Sequence, residues 1–249
     1  MEKYKYIIRI KNPYQEYYSH SYASEAAFQA NMKGVKTLRE QLKKIPFSRK
    51  NKILDIACGV SVLGKTFGNN VSGIDMNKEA VKASLKNGIK AKYGDVEKRW
   101  AYPDNYFDIV IASHIIEHVV NPDHLLLEAK RVLKKNGRII VITPNLASWF
   151  NRLLLLLGFQ PFFTEVSTLD KTLGLLFTRR LGGSRSTLGH LRIFTPNALR
   201  DILKLHGFKI VKKGSTEFGS FPPILAHIDR VFAHIYSLAA CIFVVAKKS

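Results

Sequence analysis

Residues 52–61 read KILDIACGVS, and this stretch decides the fold. Ile53, Leu54, Ile56 and Ala57 make an apolar run too short for a core helix but long enough for a strand buried on both faces. Cys58-Gly59 closes the run with small residues, and the chain then turns helix-like. A strand that passes through a tight turn into a helix aims backbone N–H groups at whatever sits on the helix N-terminus, a cradle for phosphate or carboxylate. No Gly-Lys-Ser/Thr follows, so this turn is not a nucleotide-triphosphate loop.

Outward from it the same alternation repeats. NVSGID (70–75) reads as a second strand, residues 79–86 as a helix, and KAKY (90–93) as a third strand before Gly94-Asp95. FDIVIA (107–112) has the continuous β-rich character of a central parallel strand. Residues 123–133 carry apolar side chains at helical spacing, with Asn136-Gly137 as the stop, and RIIVIT (138–143) is a fifth strand ended by Pro144-Asn145. Further on, Thr195 and Pro196 open a helix that ends at His206-Gly207, followed by strands over 208–211 and 239–246. Between those strands Pro223 starts an amphipathic helix bearing Ile224, Ile228, Val231, Phe232 and Ile235. Strands alternating with helices predict an α/β fold with a doubly wound parallel sheet. With no repeat or low-complexity linker, a single domain is expected. Its parts are a helical cap over 1–50, a core over 51–145, an apolar and basic lid insertion over 146–194, and a closing helix and strands over 195–249.

Three acids fall at three successive strand ends. Asp55 closes the first strand, and Asp75, 20 residues on, closes the second, where a carboxylate takes both hydroxyls of a ribose. Asp95 follows the third, placed to accept from an adenine amino group. The set describes a pocket for an adenosine-bearing ligand at the carboxyl edge of the sheet. A nicotinamide-dinucleotide reading also needs a ribose acid, but the G-x-G-x-x-G glycines are missing here.

Together ILDIACGVSVLG, GIDMN, GDVE, YFDIVIASHIIEHVVNP and LLLEAKRVLKKNGRIIVITPN, in this order over residues 53–145, resemble the class I S-adenosylmethionine-dependent methyltransferases of the small-molecule and lipid type. The resemblance implies a seven-stranded, mostly parallel Rossmann-like sheet and S-adenosylmethionine as cofactor. It puts Asp55, Ala57, Gly59 and Ser61 near the methionine moiety, Asp75 and Met76 at the ribose, Asp95 and Val96 at the adenine, and Ala112 and Ser113 along the methionine end. Where such proteins usually carry a glycine-rich D-x-G-C-G-x-G, this chain has Ala57 and Ser61. Ser61 sets a Cβ beside the cofactor's path.

Methyl transfer asks for alignment, water exclusion and, for a hydroxyl acceptor, removal of a proton. His118, just after the fourth strand, is the first candidate for general base, and His190, in GHLRIFT (189–195), the second. Each could instead merely order a loop. His114-Ile-Ile-Glu117-His118 also spells H-x-x-E-H, a zinc-peptidase pattern. Zinc hydrolysis needs both histidines on one helix face, and Asn121-Pro122 leaves no room for that helix, so zinc hydrolysis is not expected; no metal is assigned, with a divalent ion held by Glu117 and His118 as the alternative.

The chain has 249 residues and a formal net charge of +20, but the charge is uneven: residues 51–145 carry a net +4 and the rest +16. Composition is globular, at 46% hydrophobic and 23% charged, which excludes a disordered chain. No apolar run approaches the ~18–20 residues of a membrane span, the charged start argues against a signal peptide, and two distant cysteines fit a reducing, cytoplasmic setting. The loop after the fourth strand lacks the Asn/Asp-Pro-Pro-aromatic turn of amine-methylating nucleic-acid enzymes, and neither Cys58 nor Cys241 is placed for cytosine chemistry. Nucleic acid is therefore disfavoured as a partner despite the charge. In the lid, Trp149, Phe150, Leu153–Leu157, Phe159, Phe162 and Phe163 interleave with Arg152, Lys171, Arg179, Arg180 and Arg185. An apolar lobe with a basic rim suits a peripheral protein on an anionic membrane face, although the same leucines could pack as a lid over the acceptor pocket. The Pro223 helix could extend that surface, its stripe being more often core. The expected activity is methylation, at oxygen, of a small or lipid-linked acceptor at the inner membrane face. The alternatives are an RNA-modifying enzyme or a cofactor-binding protein without turnover.

Overall fold

A computed structural model describes residues 48, 50–59, 70–180, 187–218 and 221–249. All but residues 48 and 50 of the helical cap expected over 1–50, the helix expected after Gly59, Ser61 and Arg185 lie outside these residues.

Seven strands form one sheet in the order β3-β2-β1-β4-β5-β7-β6. They are β1 (Ile53–Ile56), β2 (Val71–Asp75), β3 (Lys90–Tyr93), β4 (Phe107–Ser113), β5 (Leu133–Pro144), β6 (Phe208–Thr216) and β7 (Cys241–Lys248). The first five pair in parallel, and β7 runs antiparallel between β5 and β6. The predicted doubly wound, mostly parallel sheet is present. Its physical cause is visible in β1 and β4, where neighbouring side chains enter opposite layers. Leu54 and Val110 join a buried cluster with Trp100, Phe107 and Leu199, whereas Ile53, Ile109 and Ile111 join another with Phe243. A strand covered on both faces favours apolar residues at successive positions, hence the KILDIA and FDIVIA runs, each broken by one acid, Asp55 and Asp108.

The helices begin where the capping residues predict. Asn77 caps α1 (Lys78–Lys86), its side chain accepting from the Glu79 and Ala80 N–H groups. Asn121 caps α2 (Pro122–Val132), accepting from His124 N. After α3 (Trp149–Leu156) and the single turn α4 (Phe177–Arg180), Thr195 caps α5 (Pro196–Leu205) by accepting from Ala198 N. Gly207, at φ 73°, turns the chain out of α5 into β6.

Two expectations about element ends need correction. The helix expected to reach Leu133 ends at Val132, and β5 begins at Leu133, not Arg138. Leu133 pairs with Phe107, then the register jumps to Arg138 opposite Ile109, so Asn136-Gly137, with Asn136 at φ 67°, is an irregularity within the strand and not the stop of the helix. β6 likewise runs on to Thr216, because β7 offers a pairing partner along its whole length.

The last helix, α6 (Pro223–Phe232), reverses ordinary amphipathic packing. Ile224 is 80% exposed, and Ile228, Val231 and the following Ile235 are exposed too, while Asp229 is 1% exposed. The Asp229 carboxylate accepts from Trp149 Nε1–H (2.9 Å) and from Phe218 N–H (2.6 Å), and the Trp149 ring stacks on Phe232 at 5.4 Å. The helix is held to the body by its acid and its phenylalanine, and its isoleucines face water.

Candidate active site

β1 has β2 on one side and β4 on the other, so the crossovers leaving it diverge and open a crevice at the carboxyl ends of these strands. The sequence bends sharply here: Ala57 (φ 50°) and Gly59 (φ 51°) both take the left-handed conformation. The bend turns Gly59 N–H onto Asp75 Oδ2 at 2.8 Å, while Asn77 N–H meets Oδ1 at 2.8 Å. Ser84 Oγ donates to the Gly59 carbonyl at 2.7 Å and pins the turn from α1. Burial lifts the Asp75 carboxyl above the ordinary range, and the N–H groups of Asn77, Gly59 and Met76 hold the rise in check.

Asp75 lines a cavity together with Ala57, Met76, Gly94, Val96 and His114. A second cavity shares Met76 and Gly94 with it and continues past Tyr93 and Asp95 to Tyr102. The lining of this pair carries the chemistry an adenosine requires. A carboxylate has about four acceptor positions, and with the N–H groups of Gly59, Asn77 and Met76 turned on it Asp75 keeps acceptor capacity for a ribose hydroxyl. Ile74, Met76 and Val96 supply apolar wall for a base, with Asp95 at its rim holding Glu97 N–H at 2.9 Å. Ala112 is wholly inside the core, and neither it nor Ser113 lines either cavity; His114 and Ile115 occupy that wall. His114 sits at φ 51°, so the chain kinks at the strand end and the next two side chains turn inward. Asp55, at 4% exposure, lies beneath the crevice and lines neither cavity.

One turn of chain, 114–119, joins this crevice to the two candidate bases. Glu117 is fully buried beneath it, one oxygen facing His114 Nδ1 (3.2 Å) and the other accepting from Thr143 Oγ1 (3.0 Å). Burial works against ionisation of Glu117, but the His114 hydrogen bond and charge outweigh it and hold the carboxyl below its usual range. The segment is a turn and not a helix, so His114 and His118 do not share a helical face, and the zinc-peptidase reading has no support. His118 and His190, 72 positions apart, meet with ring centroids 4.7 Å apart. His118 Nδ1 faces the Gly189 carbonyl at 3.1 Å, and His190 Nδ1 faces the Phe163 carbonyl at 2.9 Å. Carbonyl oxygens only accept, so each Nδ1 bears the proton and each Nε2 the lone pair. Burial lowers the basicity of both rings; His190 is pushed down to about 4, with the neighbouring His118 adding to the effect, so both are neutral at pH 7.

Among the described residues, Glu117, His118 and His190 also form a group whose ligand-type atoms lie within 4.8 Å of one another, a donor set of the kind that holds divalent cations. Behind His190 stands an aromatic wall that sequence reasoning did not assemble. Phe163 is 6.0 Å from the His190 ring and 5.4 Å from Phe218, which is 4.9 Å from Phe221, itself 5.2 Å from Phe150. The lid aromatics had been read as a composition; Phe218 and Phe221 come from the far end of β6 and had no local pattern to mark them.

A family model described as a methyltransferase domain matches residues 23–213. A ubiquinone biosynthesis O-methyltransferase of Pelagibacter ubique is 32% identical over 101 residues, covering 38% of this chain and 42% of that protein. One of Proteus mirabilis is 32% identical over 111 residues, covering 40% and 45%. The chain thus spans less than half the length of these curated relatives. A solved S-adenosylmethionine-dependent methyltransferase of Thermotoga maritima superposes with a TM-score of 0.62, at 18% identity, over 90% of this chain and 94% of that one; at that identity the likeness is of fold.

Proposed function

Since the chain belongs to the class I S-adenosylmethionine-dependent methyltransferases, we propose that it methylates an oxygen of a small or lipid-linked acceptor, working against an anionic membrane face. The observation that carries the chemistry is the pair of neutral, half-buried imidazoles joined to the cofactor crevice by the 114–119 turn and backed by the phenylalanine wall.

S-adenosylmethionine, when bound, supplies a methyl group already activated by its sulfonium charge. The chain's part is to hold the cofactor, seat the acceptor, keep water out and take up a proton. Asp75 and the Gly59 turn would hold the ribose, Met76 and Val96 the base. The phenylalanines give an acceptor an apolar, dry seat. An acceptor hydroxyl donates to Nε2 of His118 or His190 and gives up its proton there, and Nδ1–H stays with its carbonyl, so neither ring has to reorient. Glu117 beneath them favours the imidazolium that results. A neutral ring at pH 7 starts in the form a base requires.

The membrane part rests on the exposed apolar helices. Leu156 of α3 is 83% exposed and Ile224 of α6 nearly as much, in a chain whose charge excess lies outside the core segment. Among the described residues no helix is long and apolar enough to cross a membrane.

Methyl-labelled cofactor incubated with the protein and a fractionated cell extract tests the reading. Label is expected in lipid or small-molecule fractions; label in RNA alone would establish the nucleic-acid alternative in its place. Calorimetry with S-adenosylhomocysteine should show binding that Asp75→Ala weakens by about 1.5–3 kcal/mol, the range for hydrogen bonds to a charged group. Binding without label in any fraction would leave a cofactor-binding protein without turnover.

A further inference from the structure

Both histidines owe their tautomer to backbone carbonyls of the lid, and one of those carbonyls is held by a side chain that the reaction itself does not use. Glu165 receives the N–H groups of Leu188 and Gly189, the latter at 2.9 Å on Oε2. The carbonyl of that same Gly189 takes Nδ1–H of His118. Two residues before Glu165, Phe163 takes Nδ1–H of His190. Phe163 sits at φ 73°, a conformation bulky side chains avoid, and Gly189 at φ 71°. The turn is closed by Gln160 Nε2 on Thr164 Oγ1 and by Thr164 Oγ1 on the Pro161 carbonyl, each 2.7 Å. Segments 160–165 and 188–190 therefore cross-brace: the first holds His190 directly and, through Glu165, holds the second, which holds His118.

We propose that Glu165 is a positioning residue for the methyl-transfer reaction, fixing His118 as its Nδ1–H tautomer by clamping Leu188 and Gly189 beside His190. The inference rests on the proposed transferase reading for its consequence, though not for its geometry. A carboxylate suits the task because its two oxygens serve two successive N–H groups at once, which an amide with one carbonyl oxygen does not. Without it Gly189 loses its anchor and the bond from His118 Nδ1–H to that carbonyl weakens, which favours exchange of the proton between the nitrogens. Nε2 would then be protonated part of the time and unable to accept. Among the described residues Lys171 is a charged neighbour of Glu165; burial lowers its basicity and the Glu165 carboxylate restores it in part. A plain ion pair between the two would stabilise the lid but leave the histidines alone.

The test combines a spectroscopic and a kinetic readout. In ¹⁵N-histidine-labelled protein, long-range ¹H–¹⁵N correlations should place His118 and His190 as Nδ1–H tautomers, with the signals assigned by single His→Gln variants. Glu165→Ala should convert the His118 signal to a mixture of tautomers and lower kcat on the labelled acceptor by about 10- to 100-fold, the lower part of the range for losing a general base. Affinity for S-adenosylhomocysteine should stay within about twofold, since the crevice at Asp75 is built by other residues, and that binding also proves the variant folded. Glu165→Gln, keeping one acceptor, should fall between, and Lys171→Met should leave the tautomers unchanged. Unchanged tautomers and unchanged kcat in Glu165→Ala would overturn the proposal, as would an equal effect from Lys171→Met. Tautomers that shift as expected in a protein that transfers no methyl to any fraction would uphold the clamp and sink the transferase reading instead.

Discussion

His190 binds a proton far less readily in the folded chain than in the unfolded one. Its ordinary value of 6.5 falls to about 4 because burial strips water from the charged ring and His118 stands beside it. Between those two values the unfolded chain holds a proton that the folded one refuses, so stability rises with pH through that window and levels off above about 6.5. Denaturant unfolding at pH 5 and pH 7 should show the protein weaker at pH 5. In His190→Gln the loss should shrink by up to about 1.4 kcal/mol per pH unit within the window, the value of one proton. Equal pH dependence in the two proteins would mean that the ring is not protected from protonation. The sequence alone marked His118 and His190 as bases, because one follows a central strand and the other lies in a recognisable segment. It could not show that they meet, since 72 positions separate them and no periodicity encodes a contact between two distant loops. Glu165 was less legible still: its partners lie 23 and 24 positions ahead in irregular chain. Local rules read strands, caps and strand-end acids, and they are silent about a brace between two loops.

At the scale of elements, the central strands were readable because burial on both faces favours apolar residues on both, which leaves dense β-branched runs with only Asp55 and Asp108 between them. Helix ends at Asn77, Asn121, Thr195 and Gly207 were readable or conform to rule because capping is a local hydrogen-bond problem. The α2–β5 junction was misread because Asn136-Gly137 suits a helix stop equally well, and only pairing of Leu133 with Phe107 decides between the two. Helix α6 shows the deeper limit: amphipathic spacing says that a helix has an apolar side, never what covers it. Here the covered residue is Asp229, and its removal is the sharpest test of how the helix is attached. Asp229→Ala strands the Trp149 Nε1–H and the Phe218 N–H in a buried place, at a cost of about 1–3 kcal/mol. Urea unfolding should register that loss, whereas Ile228→Ser on the exposed side should change stability by less than about 0.5 kcal/mol. If the serine variant were the more damaging, the isoleucine side would be the packed one after all.

For the whole molecule the question is why an ordinary-sized domain exposes leucines and isoleucines on two helices while carrying a charge excess away from its core segment. Exposed apolar side chains taken singly are unremarkable, but runs of them on separate helices ask for a partner. An anionic bilayer satisfies both features at once: its surface draws the lysines and arginines, and its interface accepts the side chains. The electrostatic part acts over a Debye length, about 10 Å at 0.1 M salt, and is screened as salt rises, whereas the apolar part persists. Sedimentation with vesicles of phosphatidylglycerol and phosphatidylcholine separates the two contributions. At low salt the protein should pellet with anionic vesicles and remain in solution with neutral ones, and rising salt should release it. Leu156→Gln and Ile224→Gln remove one exposed apolar group each and should leave the fold unchanged. If a helix inserts its side chain, each variant should lose about tenfold or more in vesicle affinity at every salt concentration, since burying one such side chain is worth about 1.5–3 kcal/mol. A silent Ile224 variant beside a weakened Leu156 variant would confine the contact to α3, and the reverse to α6. Failure of the parent protein to pellet at low salt would leave the charge and the leucines without a common cause, and the membrane reading would fall while the catalytic one stood.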